Sequence, residues 1–99
     1  MILRELLAST PVFEIKGRRR IDIKGIALRP EDVKEGYIYI YSENEPDISY
    51  KEAIAKAKKL GATAIVIGSE QEIPNNSTTY IRTYHYRRFL SAVSRNFYN

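Results

Sequence analysis

At 99 residues, with 43% hydrophobic and 28% charged side chains, the chain has room for one folded domain and enough apolar content to bury a core, which excludes a second domain and an unfolded chain. Cysteine is absent and His85 is the single histidine, so disulfides, thiolate catalysis, zinc–cysteine clusters and multi-histidine metal sites are excluded, and neither a metal nor a cofactor is expected. The formal charge of +4 is concentrated past Glu72: twelve basic and twelve acidic residues lie up to that point, whereas Arg82, Arg87, Arg88 and Arg95 follow it without any carboxylate side chain. Such one-sided charge marks a phosphate or nucleic-acid contact, a solvated helix face or a surface facing an acidic neighbour. No apolar run approaches the roughly 18 residues needed to span a bilayer, and the start of the chain contains Glu5 and lacks a signal-peptide design, so a cytoplasmic location without membrane partners is expected.

In chain order, Ile2, Leu3, Leu6 and Leu7 recur at helical spacing before Ser9-Thr-Pro11, which predicts a short opening helix. Residues 12–15 and 20–26 alternate apolar with polar side chains and read as two strands, the second with Ile21 and Ile23 on one face. Between them the basic stretch 16–20 reads as a hairpin turn. Arg29-Pro-Glu-Asp32 is a turn or helix start by composition, because Pro30 fixes its own backbone. Tyr37-Ile-Tyr-Ile-Tyr41 is the strongest strand signal, with an isoleucine face for the core and a tyrosine face that covers a helix, stacks on a flat ligand or meets another chain.

The acidic residues Glu43, Glu45 and Asp47 suggest a calcium loop. That reading fails, because the sixth-position glycine is missing and the twelfth position is Ile54. Ser49-Tyr-Lys-Glu52 is a capping box that starts a helix. Its stripe of Tyr50, Ala53, Ile54, Ala57 and Leu60 is flanked by lysines, and Gly61 ends it. Residues 62–67 are an uninterrupted apolar strand of the kind covered on both faces, and residues 68–79 form a polar loop carrying glycosylation-type triplets at Asn75 and Asn76. A strand over 80–84 follows. A closing helix then carries Tyr86, Phe89, Leu90, Val93 and Phe97 on one face and Arg87, Arg88 and Arg95 elsewhere. His85, between the two, reads as a surface or capping residue. The expected fold class is α/β: one small domain over residues 1–99, with a mixed sheet of four or five strands flanked by two or three helices.

Several segments, in this order, resemble the N-terminal domain of MurE-type Mur ligases, which add the third amino acid to a UDP-linked muramyl peptide. The family runs from an L-x-x-L-L helix through a G-[IV]-x-x-D-S-R-x-V-x-P-G-D-x-F-V-A segment and a helix ending in G-A-x-A-V-V to a closing A-x-x-A-x-x-F-Y. Here the matching residues are Leu3-Arg-Glu-Leu-Leu7, then Gly25-Ile26 with Val33, Gly36, Tyr39 and Ile40 in register, Gly61-Ala-Thr-Ala-Ile-Val66, and Ala92-Val-Ser-Arg-Asn-Phe-Tyr98. The resemblance covers nearly the whole chain.

This resemblance implies a cytoplasmic role in peptidoglycan biosynthesis and a domain that holds the uridine end of the substrate, with a leucine and the serine of D-S-R close to the uracil. In this register Leu28 keeps the leucine position, whereas Arg29, Pro30 and Glu31 replace D-S-R. The loop that lines the nucleotide in the family corresponds to Asn44, Glu45, Pro46 and Asp47. Tyr37, Tyr39 and Tyr41 are candidate aromatic contacts for a flat base, and Arg87 and Arg88 candidate basic ones. The ligase reaction lies beyond this chain, because the phosphate cradle G-x-x-x-x-G-K-[ST] is absent from its 99 residues.

The first expectation is therefore a non-catalytic recognition domain whose partner is a UDP-linked small molecule or a ligase core on another chain. The second is a protein-interaction module, self-associating or not, with the same fold and Tyr37, Tyr41, Tyr84, Tyr86 and Tyr98 as anchors. The third is nucleic-acid binding through the basic segments and Tyr80, Tyr84 and Tyr86, although no recognised nucleic-acid motif supports it. The abundance of Lys, Glu, Ile and Tyr resembles a heat-adapted composition.

Overall fold

The structure, a computed structural model, describes residues 1–12, 14–42, 49–68, 71–74 and 77–98. In chain order its elements are α1 (Leu3–Leu6), β1 (Glu14–Lys16), β2 (Gly25–Ala27), a 3-10 turn (Pro30–Asp32), β3 (Tyr37–Ile40), α2 (Tyr50–Lys59), β4 (Ala64–Ile67), β5 (Thr79–Arg82) and α3 (Tyr86–Tyr98). The five strands form one sheet in the order β1-β5-β4-β3-β2. Strands β2 to β5 are parallel to their neighbours, and β1 runs antiparallel to β5. This is the expected α/β architecture, a mixed sheet with three helices.

The alternation in β3 divides the core. Tyr39 and Tyr41 face α2 together with Ala27, Ile65, Ile67 and Tyr80, and Val33, Ala53, Ile54 and Ala57 cover them from the crossover side. The alanines matter because a small residue on the helix admits a tyrosine ring from the sheet at close range. On the other face Ile38 and Ile40 lie with Ala64, Val66 and Ile81 beneath Leu3, Leu6, Ile23, Phe89 and Val93. Of the three uses open to the tyrosine face, covering a helix is the one adopted. All four residues of β4 are buried, as a strand sheathed on both sides requires.

Local chemistry sets the element ends. The Ser49 Oγ accepts from the Glu52 N–H at 3.2 Å, which satisfies an orphan donor at the start of α2. Gly61 ends that helix at φ 109°, and a Cβ there would stand 2.6 Å from the Glu35 Cα. Glycine is therefore required both for the backbone conformation and for the close approach. Gly25 serves β3 differently, because the Tyr37 ring lies over it and a Cβ would come 2.5 Å from that ring.

The predicted hairpin over residues 12–26 does not form. β1 and β2 lie at opposite edges of the sheet, four strand spacings or about 19 Å apart. Residues 21–23 pair instead with the chain start: the Leu3 N–H donates to the Ile21 carbonyl at 2.8 Å and the Ile23 N–H to the Met1 carbonyl at 2.7 Å. Only residues 25–27 of the predicted second strand join the sheet, beside β3. Alternation identified an extended segment but carries no information about its partner, and β5 offered β1 an antiparallel edge. Ile21 and Ile23 nevertheless join the same core, as expected. The expected strand over 80–84 stops at Arg82, where Thr83 turns the chain by accepting the His85 N–H on its hydroxyl.

Candidate functional site

An open, largely parallel sheet offers ligands the crevice beyond the carboxyl ends of its strands, where the loops diverge. Here that edge is built by the residues after Ala27, Ile40, Ile67 and Arg82. Leu28 and Arg29 leave β2, with Leu28 41% exposed. The Arg29 guanidinium pairs with the Glu31 carboxylate. A backbone hydrogen bond, with the charges of Arg29 and Lys56 adding, holds the Glu31 carboxyl below its usual range against the opposing effect of desolvation. Pro30 is buried at the first position of the 3-10 turn. Lacking an N–H, it gives this loop a fixed pivot and no donor.

Further along the edge, the Tyr41 and Tyr50 rings meet edge-on with centroids 5.1 Å apart. The Tyr50 hydroxyl donates to the Glu72 carbonyl at 3.1 Å. Burial, reinforced by the neighbouring Tyr80, pushes the Tyr50 phenol up to about 12, although Arg82 pulls the other way. Arg82 closes this end of the sheet: its Nε donates to the Glu14 carboxylate and its Nη1 to the Gly68 carbonyl, each at 3.0 Å. It braces β1 and the end of β4 onto β5.

The sequence-predicted residues are only partly brought together. Leu28, Arg29 and Pro30 are contiguous at the carboxyl edge. Tyr37 stands at the amino end of β3, Tyr39 is fully buried, and Tyr41 is 9% exposed beneath the start of α2. Tyr39 thus fills the core and has no ring face for a ligand. Asn44, Glu45, Pro46 and Asp47 lie outside the described residues, as do Asn75 and Asn76. His85 is exposed at the entry to α3, where its carbonyl accepts the Phe89 N–H at 2.8 Å.

Arg87 and Arg88 line a separate open groove of about 610 Å³, shared with Ser9, Thr10, Pro11, Ser91, Ala92 and Arg95. Sequence reasoning noticed the arginines but missed the hydroxyl-bearing wall, because residues 9–11 read only as a helix stop. Among the described residues, no cluster of His, Cys, Asp or Glu could hold a metal ion. No helix of the described residues is long and apolar enough to cross a membrane.

Fold and edge together define a small α/β domain of the open-sheet type. Over all of its 99 residues the chain is 25% identical to the UDP-N-acetylmuramoyl-L-alanyl-D-glutamate--2,6-diaminopimelate ligase of Clostridioides difficile (strain 630), and so is related to a region of a Mur ligase. The aligned segment is 100% of this chain and 20% of that ligase, so the chain spans about a fifth of the length of the relative it matches. No protein-family model matches the chain.

Proposed function

We propose that this chain acts as an N-terminal, substrate-recognising domain of the Mur ligase kind, which holds the uridine diphosphate end of a UDP-linked muramyl peptide and leaves bond formation to other domains. The observation that carries the reading is the similarity, over the whole of this chain and 20% of the relative, to a ligase whose name specifies a UDP-N-acetylmuramoyl peptide as substrate. Supporting it, Leu28 presents an apolar surface at the edge where open α/β sheets take ligands. The absence of a G-x-x-x-x-G-K-[ST] cradle from the 99 residues fits a domain that binds rather than phosphorylates.

The site differs in chemistry from the family pattern. Where D-S-R would supply a hydroxyl, Pro30 supplies none, and the adjacent Arg29 is balanced by Glu31. Recognition then depends on Leu28 against the base and on backbone groups of the neighbouring loops. Calorimetric and amide-shift titrations with UDP and a UDP-sugar test this. Saturable shifts are expected at residues 28, 29 and 31, with Leu28→Ala weakening binding by about tenfold, or 1.4 kcal/mol. Neither heat nor shifts at millimolar ligand would remove the reading.

A further inference from the structure

We propose that the groove between α3 and residues 9–11 is a second binding site, for a compact, multiply charged phosphate ligand of the diphosphate class. It lies beside the carboxyl end of β5, three strand spacings or about 14 Å across the sheet from β2 and Leu28. It therefore stands independently of the nucleotide reading.

Charge is the first argument. Arg87, Arg88 and Arg95 all line the groove. Among the described residues the ion pairs are Met1 with Asp22, Arg29 with Glu31 and Arg82 with Glu14, so none of these three arginines has a carboxylate partner there. Their own helix provides none, because no carboxylate side chain follows Glu72 in the sequence. Three cations facing one concavity repel each other until an anion enters. A guanidinium also presents two parallel donors that match two oxygens of a phosphate.

Spacing argues for a small ligand over a polymer. On a helical projection Arg87, Arg88, Ser91 and Arg95 form one stripe, turned away from the buried Phe89 and Val93. Arg87 and Arg95 are eight residues apart, which is about 12 Å along the axis. Two linked phosphates fit within that span, whereas a nucleic-acid strand carries charge well beyond it. The groove volume of about 610 Å³ falls within the range of small-molecule sites.

The opposing wall is held in place before any ligand arrives. The Asn96 Nδ2 donates to the Leu6 and Ala8 carbonyls at 2.9 and 2.8 Å, and the Thr83 Oγ1 donates to the Pro11 carbonyl at 2.7 Å. The Thr10 hydroxyl donates to the Leu7 carbonyl at 2.6 Å. Between these ties Ser9 sits at φ 59°, a left-handed conformation unusual for serine. A wall already ordered loses little further entropy when the Ser9 and Ser91 hydroxyls meet a ligand.

The test uses inorganic pyrophosphate, inorganic phosphate and a short single-stranded oligonucleotide on the 99-residue chain, read by amide shifts and thermal melting. Pyrophosphate is expected to saturate shifts at residues 9–10 and 87–95, to bind more tightly than phosphate and to raise the melting temperature. Arg88→Gln combined with Arg95→Gln is expected to weaken it by about tenfold or more while leaving the unliganded melting temperature unchanged or higher, because a repulsion is relieved. Leu28→Ala is expected to leave it unchanged, which separates this result from failure of the nucleotide reading. Shifts still linear at about 10 mM pyrophosphate, or undiminished binding by the double variant, would overturn the proposal. An oligonucleotide that binds more tightly than pyrophosphate and is released steeply by salt would overturn it in favour of nucleic acid.

Discussion

Tyr50 couples the first turn of α2 to the chain ahead of β5, and its chemistry predicts a pH dependence. Below about pH 10 both folded and unfolded chains keep the phenol protonated, so this group contributes no difference. As pH rises, the unfolded chain ionises first, because burial holds the folded phenol at about 12. Folding stability therefore falls progressively between about pH 10 and pH 12, where only the unfolded chain has the phenol ionised. Urea unfolding midpoints at the two ends of that window should fall less for Tyr50→Phe than for the unaltered chain. Gly61 predicts a backbone effect. Gly61→Ala places a Cβ against the Glu35 Cα at φ 109° and should cost about 1–3 kcal/mol, seen as a lower denaturation midpoint with an unchanged slope.

At the scale of elements, α3 is fixed by two different chemistries. Phe89 and Val93 bury its apolar face against the sheet, while Asn96 ties it to the end of α1 through two carbonyls. Asn96→Ala removes both bonds and leaves the Leu6 carbonyl without that donor. A loss of about 1–2 kcal/mol is expected. Hydrogen exchange should accelerate in residues 3–8 and remain slow in β3 and β4, which belong to the central sheet. Acceleration across the whole chain instead would mean that α1 and the sheet open as one unit.

For the whole molecule, the sheet divides labour between its faces and its edge. The crossover face, with α2, is sealed by tyrosines and alanines, and the opposite face, with α1 and α3, by isoleucines and Phe89. The surfaces to which the two proposals assign recognition are the carboxyl edge near Leu28 and the arginine groove outside α3. Much of this was legible beforehand. The capping box at Ser49 located α2, the apolar run predicted β4 as a doubly covered strand, and the tyrosine–isoleucine alternation divided the core, since each signal arises from residues a few positions apart. The concentration of arginine after Glu72 was equally visible, whereas Leu28 was picked out only through the family resemblance.

Partner choice was not legible. Glu14 meets Arg82 across 68 positions of sequence, and residues 9–11 meet α3 across a similar interval, so no local period encodes either contact. The same limit explains the missing hairpin: alternation identifies an extended segment, but competition among all available edges decides what it pairs with. The sequence by itself determined the helices, the strand faces and the distribution of charge, because these follow from neighbouring side chains and backbone sterics. Tertiary packing alone decided the strand order, the burial of Tyr39 and the convergence of Ser9 with three arginines, because those depend on which distant surfaces exclude water together.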